Sequence, residues 1–363
     1  MSDNLRRYRA IERGLCQLYL GEPQGRLRQS LQVMAMFING IVGSGSTHTR
    51  QVAKKTPTVA KVSSREKQLV RWYQNEAVTY ESHMLPYVQE LLEHLKEQTL
   101  VLVIDGSDVG RNCVTLMVSL VYQSRAIPLI SLVRSGKKGH FAAEMHIELL
   151  KELRQVLPEG ADVVLLGDGE FDSVELQSFL QDVGWGYVCR TAKSTMILLD
   201  DEWRRLDEIE LWRGCCLPFY DVAFTQQAYG PVLAIAWWRS DCADPLYLVT
   251  NLPLLEEACR FYRKRMKIET FFSDQKSRGF ELHKSHISEP KRLARVLFAA
   301  CLAYIWIIYL GVLCRADGWV FRVHRTERCD LSLFQLGLDL LEHLLNENLP
   351  VLFGLRLPLA NPY

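Results

Sequence analysis

Apolar residues recur at helical spacing through the first hundred positions. Leu27, Leu31, Met34, Ile38 and Ile41 follow intervals of four and three, which places them on one helix face. Residues 1–98 therefore read as helical. A capping box at Ser63 to Glu66 is predicted to open the helix that carries Lys67, Arg71 and Trp72. The Gly-Ser run at 43–46 reads as a loop, and it lacks the Gly-Lys-Ser/Thr ending of a phosphate-cradling loop.

From Leu100 the period changes. β-branched apolar runs at Leu100–Ile104, Val114–Tyr122 and Ala126–Val133 predict three consecutive antiparallel strands, with Gly106–Asn112 as the first turn. A helix at about Phe141–Val156, a buried strand at Asp162–Leu166, a helix at Ser173–Gln181 and a strand at Gly186–Arg190 follow. Three meandering strands and then helix, strand, helix, strand is the order of an RNase H-like α/β mixed sheet. Residues 193–250, rich in Trp, Gly and Pro, read as a β-rich insertion with strands at Val232–Trp238 and Leu246–Thr250. Helices return at Leu254–Gly279, 290–314 and 331–346. The predicted division is a helical region at 1–98, a core at 99–192 and 251–315 split by the insertion at 193–250, and C-terminal helices at 316–363.

Val296–Cys314 is 19 residues without a charge, long enough to cross a bilayer. A helix apolar all round is equally the centre of a large soluble fold, and no second such segment accompanies it. Ten cysteines without a C-x-x-C pair suggest reduced thiols in a cytosolic protein, with neither a zinc cluster nor a disulfide framework.

Charge redraws the picture when counted by window. The whole chain carries 43 Lys and Arg against 42 Asp and Glu, a net +1 that argues against a polyanionic partner. Arg50–Arg71, however, holds seven bases against one acid, residues 159–211 hold thirteen acids against four bases, and Arg260–Arg295 holds eleven bases against four acids. Clustered bases suit phosphate and clustered acids suit divalent metal, although charge runs also form on solvated surfaces.

Two acids stand at strand ends. Asp105 closes LVLVID and Asp168 follows VVLLG, and in the predicted topology these strands are neighbours. Ionised carboxylates there repel unless a cation is shared, and magnesium with oxygen ligands is the natural one. Asp172 with Glu175 fits a helix cap, Asp108 a turn, and Glu170 is left open. A third acid comes from FYRKRMKIETFFSDQKSRGF, where Tyr262, Arg265, Glu269 and Lys276 are spaced three, four and seven apart. On one helix they would share a stripe. A solvated helix with an internal Arg265–Glu269 pair fits that stripe as well as a nucleic-acid-facing one does.

The Tyr-(2)-Arg-(3)-Glu-(6)-Lys spacing, preceded by Asp105 and by Asp168 in a GDGEFD context, resembles the bacterial insertion-sequence transposases of the DDE type, whose RNase H-like core is interrupted by a β-rich insertion. The resemblance covers about residues 98–315. It implies that Asp105, Asp168 and Glu269 coordinate two magnesium ions, with manganese able to substitute, and that Tyr262, Arg265 and Lys276 contact DNA phosphates. The implied activity is metal-dependent cleavage at the element ends and strand transfer into target DNA, by a homodimer in a synaptic complex, in the bacterial cytoplasm at the nucleoid and without a membrane. Trp237, Trp238 and Tyr247 are candidates for stacking an extruded base, although the family's stacking Trp falls where this chain has Leu246 and Tyr247. Lys54, Lys55 and Arg71 lie in the region expected to recognise the terminal inverted repeats. A structure-specific nuclease and an inactive transposase-derived DNA-binding protein remain alternatives.

Overall fold

The computed structural model describes residues 2–19, 21–136, 141–324 and 329–358. Six helices come first: α1 (Asp3–Gln17), α2 (Gly25–Ser44), α3 (Thr49–Lys55), α4 (Val62–Gln74), α5 (Tyr80–His83) and α6 (Leu85–Leu95). The apolar stripe read from the sequence is the buried face of α2, where Leu31, Met34, Ile38 and Ile41 are fully enclosed. Two local readings need correction. The run at 43–46 is helical as far as Ser44, and the helix stops at Gly45, whose φ of 62° suits a residue without a side chain. The capping box at Ser63 to Glu66 does not form, because α4 begins earlier with Lys61 in the capping position and no side-chain cap.

The strands β1 (Leu100–Gly110), β2 (Cys113–Tyr122) and β3 (Arg125–Ser135) form an antiparallel meander. Asp105 does not close the strand as the sequence suggested but sits midway along it, paired with Met117, and Asp108, paired with Val114, also lies inside β1 and not in the turn where the sequence placed it. Next come α7 (Ala143–Arg154), β4 (Val163–Gly167), α8 (Val174–Asp182) and β5 (Gly186–Thr191). β4 and β5 are parallel to β1. The β1 run Leu100–Ile104 is wholly buried, as a strand covered on both faces requires.

The β-rich segment contributes β6 (Met196–Leu199), β7 (Glu202–Arg205), β8 (Cys216–Phe224), β9 (Tyr229–Trp237) and β10 (Leu246–Thr250). These strands extend the same sheet, because β10 pairs antiparallel with β5 and gives the order β3-β2-β1-β4-β5-β10-β9-β8-β6-β7. The first five places of that order are an RNase H-like core.

After the sheet come α9 (Leu255–Tyr262), α10 (Lys267–Gln275), α11 (Pro290–Ala316), α12 (Val320–Val323) and α13 (Leu333–Asn346). The single helix expected over Leu254–Gly279 is thus two. Residues 263–266 join them through tightened bonds from Arg265 N to the Tyr262 carbonyl and from Glu269 N to the Met266 carbonyl, each spanning three residues.

The 27-residue α11 carries the apolar segment Val296–Cys314, and it is no membrane span. It is the central helix of the fold, packed against α2, α4, α13 and β3. Its approach to α13 is set by two glycines: a Cβ on Gly311 would lie 1.9 Å from the Leu333 carbonyl oxygen, and one on Gly337 1.9 Å from that of Ile307. Arg295, 9% exposed, donates from α11 to the carbonyls of Tyr73 and Val78, tying the N-terminal helices to the core.

Candidate functional site

Strand register brings the first two acids together. β1 and β4 run parallel, with Leu100 beside Val163 and Val103 beside Leu166. Two further steps along that register set Asp105 beside Asp168. Each aspartate is oriented by a backbone amide: Gly106 N–H donates to Asp105 Oδ1 at 2.7 Å, and Glu170 N–H to Asp168 Oδ1 at 3.2 Å. Their Oδ2 atoms both face Arg265 Nη1, at 3.6 and 3.7 Å. The third acid reaches the same side chain, with Glu269 Oε1 accepting from Arg265 Nη2 at 3.1 Å.

Three carboxylates thus converge on one guanidinium, which is 11% exposed, while the Glu269 side chain is half exposed. Burial, and next the charge of Asp168, push the Asp105 carboxyl up to about 6, against the pull of Arg265 and the Gly106 amide. Among the described residues, no three His, Cys, Asp or Glu side chains are gathered closely enough to enclose an ion as they stand. The donor set is nonetheless all carboxylate oxygen, which fits a hard divalent cation such as magnesium.

The four signature residues are divided between elements. Tyr262 ends α9, Arg265 lies in the link, Glu269 is in the first turn of α10, and Lys276 caps its end. Burial pushes the Tyr262 hydroxyl up to about 12. Lys276 Nζ donates to Ser107 Oγ at 2.7 Å. Ser107 escaped the sequence reading, although its place two residues after Asp105 puts both on one face of β1. Arg125 of β3 and Asp274 of α10 were missed too. They form a buried pair at 2.6 Å that ties α10 to β3, and such a pair leaves no periodic signal in sequence.

Beside Asp168 opens a cleft of about 900 Å³, lined among others by Arg190, Lys193, Trp238 and Tyr247. Trp237 is elsewhere: it is 6% exposed and flanked by the guanidiniums of Arg263 at 5.1 Å and Arg239 at 5.6 Å. Glu170 accepts from Phe141 N–H at 2.6 Å and lies 3.6 Å from His146 Nε2. The cap of α8 is Ser173, which accepts from Leu176 N–H, and not Asp172 as the sequence suggested. The Asp172 carboxylate is taken up instead by the Thr191 side chain and the Ala192 amide. Lys54 and Arg71 are exposed on α3 and α4, and Lys55 is half-buried.

A sheet ordered 3-2-1-4-5, with Asp105 midway along its first strand beside Asp168 just past the end of its fourth, defines an RNase H-like core. The chain belongs to the transposase DDE domain family, whose model matches residues 79–306. No curated protein sequence matches it. Similar solved structures include the cryo-EM structure of the piggyBac transposase synaptic complex with hairpin DNA, 12% identical, covering 96% of this chain and 81% of that one at a TM-score of 0.48. Human ENDOV is 14% identical and covers 54% of this chain and 99% of its own, at a TM-score of 0.26.

Proposed function

We propose that this chain is the transposase of a bacterial insertion sequence, cutting DNA at the ends of its element and joining those ends to target DNA. The observation that carries the reading is the convergence of Asp105, Asp168 and Glu269 on one guanidinium, where the middle of β1 passes the end of β4. Asp105, Asp168 and Glu269 are the residues that would hold two magnesium ions. Such ions supply positive charge at the attacking and departing oxygens of a phosphoryl transfer.

The protein's own part is to place the strand. Tyr262 offers a hydroxyl that stays protonated, and Arg265 and Lys276 offer cations to phosphates on either side of the scission point. The cleft beside Asp168 is wide enough for a nucleotide, and its wall includes Trp238 and Tyr247, which makes these the two aromatic candidates for stacking a base. Trp237, buried between two arginines, is a packing residue in this reading. Lys54, Lys55 and Arg71 contact the terminal repeats, with α4 presented to a groove and the bases set on phosphates. Two copies meet in the synaptic complex, because two element ends must be cut together, and the protein works at the nucleoid.

The test is cleavage of end-labelled duplex carrying the flanking inverted repeat, with magnesium, by the wild type and by Glu269→Gln. Loss of one of the acids is expected to slow cutting by at least about a hundredfold, the scale of removing a transition-state electrostatic group. Equal cutting by both proteins sinks the assignment.

A further inference from the structure

We propose that Arg265 is an internal counter-ion of the three acids, which divalent metal displaces when it binds. The inference rests on the metal-holding role proposed above for Asp105, Asp168 and Glu269. Its ground is the identity of the oxygens. Asp105 and Asp168 each commit Oδ1 to a backbone amide, of Gly106 and Glu170 respectively. The oxygens left to face inward, Oδ2 of both, are the ones on Arg265 Nη1, and Glu269 adds Oε1 on Nη2.

A magnesium ion needs those lone pairs at about 2.0–2.1 Å. A guanidinium 3.1–3.7 Å from the same atoms would then stand within a few ångströms of a dication, where like charges in a half-buried site repel strongly. Both cannot occupy the acids. Arg265 can turn away by rotation about its own side-chain bonds, its backbone staying in the hydrogen-bonded link between α9 and α10. Phosphate is its alternative partner, since the planar fork of arginine pairs with phosphate as it does with carboxylate. DNA that draws Arg265 away therefore clears the acids for metal, and metal that expels Arg265 readies it for DNA. The two affinities rise together, as linkage requires.

The test is manganese binding to the full chain without DNA, followed by electron paramagnetic resonance and calorimetry. Arg265→Gln is expected to bind Mn2+ about tenfold more tightly than the wild type, within the ordinary range of coupling between two ligands. Arg190→Gln, which removes an equal charge from the cleft wall beside Asp168, is expected to change affinity less than about threefold, as a surface charge does. Arg265→Lys, whose compact ammonium does not span all three acids, is expected to fall between wild type and Arg265→Gln, and it carries the test if the glutamine variant does not fold. Equal affinity in wild type, Arg265→Lys and Arg265→Gln overturns the proposal, as does an equal gain from Arg190→Gln. If no form of the protein binds Mn2+ up to about 10 mM, it is the metal-holding role of the acids that fails, and the proposal falls with it.

Discussion

Asp274→Ala isolates a charge that the fold does not otherwise expose. Arg125 and Asp274 meet at 2.6 Å with side chains 9% and 8% exposed, one on β3 and the other on the helix that bears Glu269. Removing the acid strands a guanidinium in the interior, which costs about 3–5 kcal/mol. Unfolding entropy of roughly 2.1 cal/mol/K per residue gives about 0.8 kcal/mol/K for 363 residues, so the melting temperature should fall by about 4–6 °C. Replacing both partners, Arg125→Met with Asp274→Leu, removes the stranded charge and should restore most of that loss. The reason lies in the desolvation of the pair: burial pushes Asp274 up to about 6 even with Arg125 beside it, so the attraction does not fully offset the cost of enclosing the charges. Calorimetry of the two proteins decides the matter. If the double variant melts as low as Asp274→Ala, the stranded charge is not what destabilises the single one.

The same carboxyl gives a pH signature. Its folded value of about 6 lies above the ordinary 3.8, so folding favours the protonated form, and its contribution to stability declines as pH rises from about 4 to 6 and is flat above that. The stability of wild type relative to Asp274→Asn, measured by urea denaturation, should therefore be greatest near pH 4 and shrink toward pH 6; a difference that grows with pH contradicts the assignment. Arg295→Met leaves the Tyr73 and Val78 carbonyls without their donor, at a cost of about 3–6 kcal/mol for two lost charge-assisted bonds. Limited proteolysis should then cut the segment between α4 and α5 well before the wild type is cut there.

What the sequence made legible was periodic. The β1 and β4 runs, and hence the neighbourhood of Asp105 and Asp168, followed from apolar runs that stop at acids, although β1 itself continues past Asp105 to Gly110. The apolar stripe of α2 followed from its three-four spacing. What stayed hidden was set by contacts far apart in sequence. Nothing in Tyr262 to Ile268 marks a helix break, since neither Pro nor Gly is present. The choice between Asp172 and Ser173 as a cap turned on a partner in Thr191, which no local rule includes. Composition alone could not separate a membrane span from the core helix α11; the difference is that helices α2, α4 and α13 already cover it.

The division of the signature between two helices explains why its cations are long. From Arg265 to Lys276 is eleven residues, about 16 Å if wholly helical. The groups they meet, Asp105 and Ser107, are two residues apart on one face of β1, about 6.6 Å along the strand. A helix strapped at both ends to so short a stretch requires side chains that lean inward by several ångströms each, which Arg and Lys can do and short polar residues cannot. Glu269, between the straps and half exposed, is left to reach the guanidinium that the two aspartates face. The intervals of three, four and seven thus do not describe a stripe on one helix: they span a helix break, with one cation on Asp105 and the other on Ser107 of β1.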